Sequence, residues 1–120
     1  MNHFGVESDH LKMSKRLKHN APYLHVLAKG SDKQRQGVIQ GANKELITCL
    51  CECALNVLNG NIHLKPSEKK RLTKYKRHIR VLGNKKIGVQ KKKKVLRQKG
   101  GFLGALLTPV LSALGGLLFK

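Results

Sequence analysis

The chain has 120 residues and a formal net charge of +19, with 25 Lys or Arg against six Asp or Glu. This length allows at most one domain, and the charge far exceeds what solubility requires, so we expect an anionic partner. Only 4% of the residues are aromatic and none is Trp, which argues against a large aromatic core and against base stacking as the main mode of nucleic-acid binding.

The first 30 residues are weakly patterned. Asp9 is a candidate cap for a short helix, and Pro22 is expected to end that helix. The segment lacks the apolar stretch of a signal peptide, so we predict no secretory signal. We therefore predict a weakly structured N-terminal arm over residues 1–30.

Residues 31–83 predict a helical unit. Ser31 offers an N-cap for a first helix. Residues 42–59 carry apolar side chains at the i, i+3, i+4 and i+7 spacing of an amphipathic helix. The pair Asn59-Gly60 is a typical stop signal for this helix.

A further helix is predicted over residues 67–82, with Ser67 as its cap. Its apolar stripe would pack against the 42–59 helix, while its Lys and Arg side chains would cover the outer face. The predicted fold class is therefore all-α: a small helix–loop–helix unit with a flexible basic arm and an apolar C-terminal helix.

Three cysteines, Cys49, Cys51 and Cys53, lie within the 42–59 helix. On a helix Cys49 and Cys53 share a face, whereas Cys51 points away from both, which disfavours a joint metal site. We predict small buried core residues here, and a metal or redox function is the alternative. No metal ligand set and no cofactor is predicted.

Residues 65–99 contain sixteen Lys or Arg and a single acid, Glu68. Such a segment repels itself unless a polyanion, an anionic lipid surface or solvent relieves the repulsion. We predict non-specific binding to the phosphate backbone of nucleic acid, and residues 84–101 are expected to form a Lys-rich arm that becomes ordered on its polyanion. The predicted nucleic-acid-binding residues are Lys69, Lys70, Arg71, Lys74, Arg77, Arg80, Lys85, Lys86, Lys91, Lys92, Lys93, Lys94, Arg97 and Lys99.

After Lys99 the sequence becomes uncharged and apolar. A helix over residues 102–119 would rise about 27 Å, just short of a hydrocarbon core of about 30 Å, and Pro109 argues against one straight span. We predict an apolar tail over residues 102–120 that contacts a membrane or is buried against protein, in a capsid or in a homo-oligomer. The predicted contact residues are Phe102, Leu103, Leu106, Leu107, Val110, Leu111, Leu114, Leu117 and Leu118.

Three stretches together point to a family: LCECALNVLNG at 50–60, the Lys-rich block at 85–94, and QKGGFL at 98–103 with the apolar residues that follow it. They resemble a small basic virion core-like protein of invertebrate Polinton/adintovirus-type elements, which is distantly similar to the adenovirus minor core protein. The resemblance covers about residues 30–119 and implies DNA condensation in a virion, with assembly in the host nucleus or cytoplasm.

The same resemblance draws attention to Gly100 and Gly101. Together with the following Phe102 they resemble a junction cut by adenovirus-type cysteine proteases. A helix stop and hinge is the alternative interpretation of these two glycines.

No arrangement of residues indicates catalysis, because the six acids stand in separate contexts and no phosphate-binding loop or nucleophile motif is present. We expect a non-enzymatic, virion-associated protein that binds and condenses double-stranded DNA. The alternative is a membrane-active, lytic or anchoring protein, whose Lys block would bind anionic lipid. A ribosomal or other RNA-binding function would leave the apolar tail unexplained.

Overall fold

The structure is a computed structural model that describes the backbone of residues 3–113 and the side chains of residues 15–113. Within this range all regular structure is helical, which confirms the all-α fold class. A one-turn 3₁₀ helix at Gly100–Phe102 precedes the last α-helix. The α-helices are α1 (His3–Lys29), α2 (Asp32–Gln40), α3 (Lys44–Leu58), α4 (Pro66–Lys74), α5 (Lys76–Gly83), α6 (Val89–Lys99) and α7 (Leu103–Ala113).

Side-chain caps define the ends of α2 and α3. The Ser31 Oγ accepts a hydrogen bond from the Gln34 N–H at 3.2 Å, and the Gln34 Oε1 accepts one from the Ser31 N–H at 3.0 Å. This is a capping box, and it confirms Ser31 as the cap. Asn43 caps α3 through the Leu46 N–H at 2.9 Å, and Gly60, with a φ of +75°, provides the predicted left-handed stop.

The N-terminal segment differs from the predicted arm. It forms α1, a helix of 27 residues that continues through Pro22 and packs against α2, α3 and α7. Leu17, Leu24 and Leu27 are fully buried, and because they flank Pro22 on both sides, they hold both halves of the helix on the core. Tertiary packing here outweighs the local cost of a proline, which lies on the exposed side.

The helix predicted over residues 67–82 is divided in two. Tyr75, with φ −109° and ψ 12°, ends α4 and precedes α5. The predicted cap at Ser67 was also wrong, because α4 begins at Pro66 with Lys65 as its N-cap residue. Glu68 closes this end by accepting a hydrogen bond from the Lys65 N–H at 2.9 Å.

A single core lies around α3, which packs against α1, α5, α6 and α7. The α7 helix contributes a nearly continuous set of buried side chains to this core. The Cα radius of gyration is 13.6 Å. A compact chain of this length is expected to have a radius of gyration of about 14 Å. The predicted basic arm at 84–101 and the first part of the predicted tail are therefore packed parts of one globule.

Two glycines permit close packing against this core. A Cβ on Gly104 would lie 3.0 Å from the Ala28 carbonyl oxygen, so α7 approaches the backbone of α1 closely. A Cβ on Gly83 would lie 3.3 Å from the side chains of Leu55 and Leu58. The first contact is the stricter one, because a backbone carbonyl moves less easily than a leucine methyl group.

The substitution Gly104→Val is expected to lower the free energy of unfolding by about 1–3 kcal/mol, because its branched side chain would push α7 away from α1. Urea denaturation followed by circular dichroism measures this. As a control, Gly37→Ala has open space around its Cβ in the interior of α2 and should raise the free energy of unfolding by roughly 0.5–1 kcal/mol. A Gly104→Val protein with the wild-type midpoint would contradict the close helix packing.

Candidate nucleic-acid interface

Six of the fourteen predicted cations lie exposed on α4 and α5. Both helices have one buried stripe, formed by Leu72, Ile79 and Leu82, and α5 packs through it against α3. The Lys and Arg side chains of both helices face solvent on the other sides, as in an amphipathic helix. The exposed cations of these two helices are Lys69, Lys70, Arg71, Lys74, Lys76, Arg77 and Arg80.

Phe102 anchors the junction between α4 and α5. Its fully buried ring lies 6.2 Å from the Tyr75 ring and 5.6 Å from the His78 ring, measured between centroids. These contacts connect the apolar segment directly to the helices that carry the positive charge. Sequence reasoning treated the two segments as separate units, whereas the apolar segment is the support of the basic one.

A short turn presents two further lysines between α5 and α6. The Asn84 Oδ1 accepts a hydrogen bond from the Lys86 N–H at 2.9 Å, and the Asn84 carbonyl accepts one from the Ile87 N–H at 3.1 Å. An asparagine that bonds the backbone two residues ahead stabilises a turn of this kind. Lys85 and Lys86 are both exposed on it.

The α6 helix packs against α2, α3 and α5 and orients its cations unequally. Lys91, Lys94 and Arg97 are exposed and recur every three residues, so they lie along one side of the helix. Lys99 is exposed at its end. This well-packed helix replaces the arm that the sequence predicted to be ordered only on a polyanion.

Two lysines of the predicted nucleic-acid site pack against other helices and do not face solvent fully. Lys92 is only 5% exposed, and its Nζ lies 3.2 Å from the Cys51 Sγ, so its assignment to the nucleic-acid surface was wrong. Lys93 is half-buried, and its Nζ donates to the carbonyls of Gln40 at 3.4 Å and Ala42 at 3.1 Å. There it compensates the negative end of the α2 dipole.

A periodic signal for the burial of Lys92 was present in the sequence. Val89 and Leu96 lie three residues before and four residues after it, so all three residues share one face of a helix. Conversely, Lys65 and Lys76 are exposed beside the predicted cations but were absent from the predicted site. The same helical period places Lys76 next to Arg80, one turn away.

We call the exposed Lys and Arg side chains of residues 65–99 the cationic face. They number fourteen of the sixteen cations in this segment. Among the described side chains the ion pairs are Arg16–Glu52 and Arg35–Asp32, and the His19 ring lies 3.8 Å from the Glu45 carboxylate. All three contacts lie outside the segment. Glu68, the acid of the segment, accepts a backbone N–H. The cationic face is therefore not neutralised by carboxylates of residues 15–113.

The predicted membrane or partner residues of α7 and the preceding 3₁₀ turn are not at the surface. The described ones are between 0% and 6% exposed, in contact with the rest of the core. This corrects their assignment as contact residues, since the chain itself covers them. The buried residues are Phe102, Leu103, Leu106, Leu107, Val110 and Leu111, whereas Leu114, Leu117 and Leu118 lie outside the described residues.

The candidate cleavage site lies in the 3₁₀ turn that leads into α7. Gly101 is exposed, but Gly100 is buried, and a Cβ on Gly100 would lie 3.2 Å from the Ile39 side chain. The following Phe102 is fully buried. A protease that requires an extended substrate would have to unfold this turn locally and withdraw Phe102 from the core.

Across residues 3–113, no helix has both the length and the apolar character needed to cross a membrane. A comparison of the chain with protein-family models, with curated proteins and with solved structures finds no match. The relationship to the virion core-like family therefore stays a prediction from the sequence.

Proposed function

We propose that this chain is a non-enzymatic DNA-binding protein that contacts the phosphate backbone of double-stranded DNA through the cationic face. The observation that carries the proposal is the exposure of fourteen cations on one segment without neighbouring carboxylate partners among the described side chains. The release of counterions from DNA by such cations provides a large, sequence-independent free energy of binding.

The composition of the face favours positioning on phosphates over reading of bases. Of its fourteen cations ten are Lys and four are Arg. Bidentate recognition of guanine is best provided by Arg, whereas a Lys ammonium acts as a compact charge that accepts many phosphate geometries. Non-specific binding is the function that follows from this composition.

The cations are distributed over α4, α5, the 84–88 turn and α6, which are held together by the core. A rigid surface with charges on several elements neutralises more phosphates than a single helix and promotes close approach of DNA segments. Condensation of DNA within a virion follows as part of the proposal. The virion location rests on the resemblance to virion core-like proteins of Polinton/adintovirus-type elements.

The membrane-active alternative is less well supported. Its apolar contact residues between Phe102 and Leu111 belong to the core, so insertion into lipid would require α7 to leave α1, α3 and α4, with the loss of that burial. The lipid-binding part of this alternative would use the same exposed lysines as DNA. Vesicles of anionic lipid are therefore a necessary second arm of the binding experiment.

The test is a titration of the purified full-length chain with 30-base-pair duplexes of unrelated sequence over a range of salt concentrations. If about ten phosphates are engaged, we expect a log–log slope of binding against salt near −9 and equal affinities for all sequences. A slope shallower than about −3, or a strong preference for one sequence, would contradict the proposal. Preferential binding to duplex RNA or to anionic vesicles would redirect it to those partners.

A further inference from the structure

The contact between Cys51 on α3 and Lys92 on α6 lies apart from the cationic face. The Lys92 Nζ is 3.2 Å from the Cys51 Sγ. Within the described part of the chain, this sulfur is the polar atom that Lys92 contacts, and no carboxylate pairs with the ammonium. A cation that is 95% buried without a carboxylate carries a large desolvation cost. Helix packing therefore holds an amine against a thiol.

The three cysteines differ in their access to solvent. Cys49 and Cys53 are 1% and 0% exposed, whereas Cys51 is partly exposed. The hydrogen bond with Cys49, followed by burial, raises the pKa of the Cys53 thiol well above its ordinary value. A thiol that stays protonated is a poor nucleophile. A small oxidant in solution should therefore react with Cys51 first.

We propose that Cys51 and Lys92 form a reversible covalent sulfur–nitrogen bond when hydrogen peroxide oxidises Cys51. Peroxide first converts the thiol into a sulfenic acid and is itself reduced to water. The Lys92 nitrogen then attacks the sulfenic sulfur, so that the S–N bond forms and the S–O bond breaks. The hydroxyl leaves as water with one proton from the nitrogen, and a second nitrogen proton passes to solvent.

The electron balance needs one equivalent of peroxide, because the sulfur loses two electrons and peroxide accepts them. A sulfenic acid is known to condense with a backbone nitrogen to form a sulfenamide, and the Lys92 amine would take the place of that nitrogen here. The adjacent amine gives this intramolecular reaction an advantage over further oxidation. Two equivalents of an added thiol restore the free cysteine and the amine and are oxidised to a disulfide.

The bond would join α3 to α6 across 41 residues of chain. A cross-link over a loop of this length restricts the unfolded chain, so it should raise the midpoint of thermal unfolding by roughly 5–15 °C. The exposed lysines of α6 are not consumed. The S–N bond would therefore stabilise the fold under oxidising conditions.

The test uses the reduced full-length protein treated with hydrogen peroxide, denatured and alkylated. We expect an intact mass lower by two hydrogen atoms, two alkylated cysteines in place of three, and a Cys51 peptide joined to Lys92, all reversed by dithiothreitol. An internal disulfide would cause the same mass loss but leave one cysteine to alkylate. That result would overturn the proposal.

Two variants separate the buried lysine from its exposed neighbour. Lys92→Met keeps an unbranched side chain one atom shorter and without the amine, so it should abolish both the cross-link and the rise in melting temperature, whereas Lys91→Met should retain both. A cross-link that persists in Lys92→Met would overturn the proposal. If Lys92→Met does not fold, peptide mapping of the peroxide-treated wild-type protein tests the proposal instead. A peptide in which all Cys51 is oxidised while Lys92 is unmodified would overturn the proposal, and so would a bond from Cys51 to another lysine.

Discussion

Replacing Lys70, Lys74, Arg77 and Arg80 together with Gln is expected to lower the affinity for duplex DNA by roughly 10²–10³-fold at physiological salt. All four side chains are exposed on α4 and α5, away from the buried stripe of these helices. If each contacts one phosphate, the slope of log affinity against log salt should become shallower by about 3.6 units. Fluorescence anisotropy with a labelled duplex measures both quantities.

The control removes the same charge from another part of the surface. Four exposed lysines serve as the control: Lys15, Lys18 and Lys29 on α1, and Lys33 on α2. Their replacement by Gln changes the net charge equally, so a general electrostatic attraction predicts equal losses for the two variants. We expect a much smaller loss in the control. Equal losses would show that DNA senses the whole protein and not the cationic face.

The α3 helix illustrates what the sequence alone determined. Its apolar period and the stop at Gly60 indicate the same element, and the observed bounds Lys44–Leu58 differ from the predicted 42–59 by one or two residues at each end. Local signals that agree with one another specify a helix without reference to its neighbours. The exposure of the cations on α4 and α5 followed in the same way from the apolar period of residues 67–82.

The α6 helix shows where such reasoning fails. Four consecutive lysines and few apolar residues predict a fraying helix. The contacts that stabilise α6 come from distant parts of the chain: the Gln36 side chain donates to the Arg97 carbonyl at 3.0 Å, and Lys93 donates to carbonyls at the end of α2. A pattern read within one window cannot reveal partners more than 50 residues away.

The environment of the apolar segment was difficult to predict for a different reason. Its composition required that something cover it, but lipid, a second protein and the same chain satisfy that requirement equally well. The decisive contacts lie with α1, which was predicted as a weakly structured arm with a short helix that ends at Pro22. Because α1 was not predicted as a long helix, the prediction lacked the surface against which α7 packs.

This packing also explains how a chain of charge +19 forms a compact core. Its repelling cations destabilise the folded state. The α7 helix and Phe102 compensate by burying large apolar side chains beneath α3, α4 and α5. The apolar segment thus has a structural role in presenting the cationic face.

The substitution Phe102→Ala is accordingly expected to lower the free energy of unfolding by about 3–5 kcal/mol. The ring is fully buried, and its contacts with Tyr75 and His78 hold the junction of α4 and α5. A loss of this size is a large part of the roughly 5–15 kcal/mol that stabilises an ordinary domain. Chemical denaturation followed by far-ultraviolet circular dichroism measures it, and α4 and α5 should lose protection from hydrogen exchange first.

Tyr23→Ala is the matched control, because Tyr23 is also aromatic but 53% exposed on α1. Its substitution should change the free energy of unfolding by no more than about 0.5 kcal/mol. A segment free to enter a membrane makes a different prediction: Phe102→Ala would then leave the unfolding midpoint unchanged and weaken binding to neutral vesicles. That combination would show that Phe102 is not a core residue, and the cationic helices would need another source of stability.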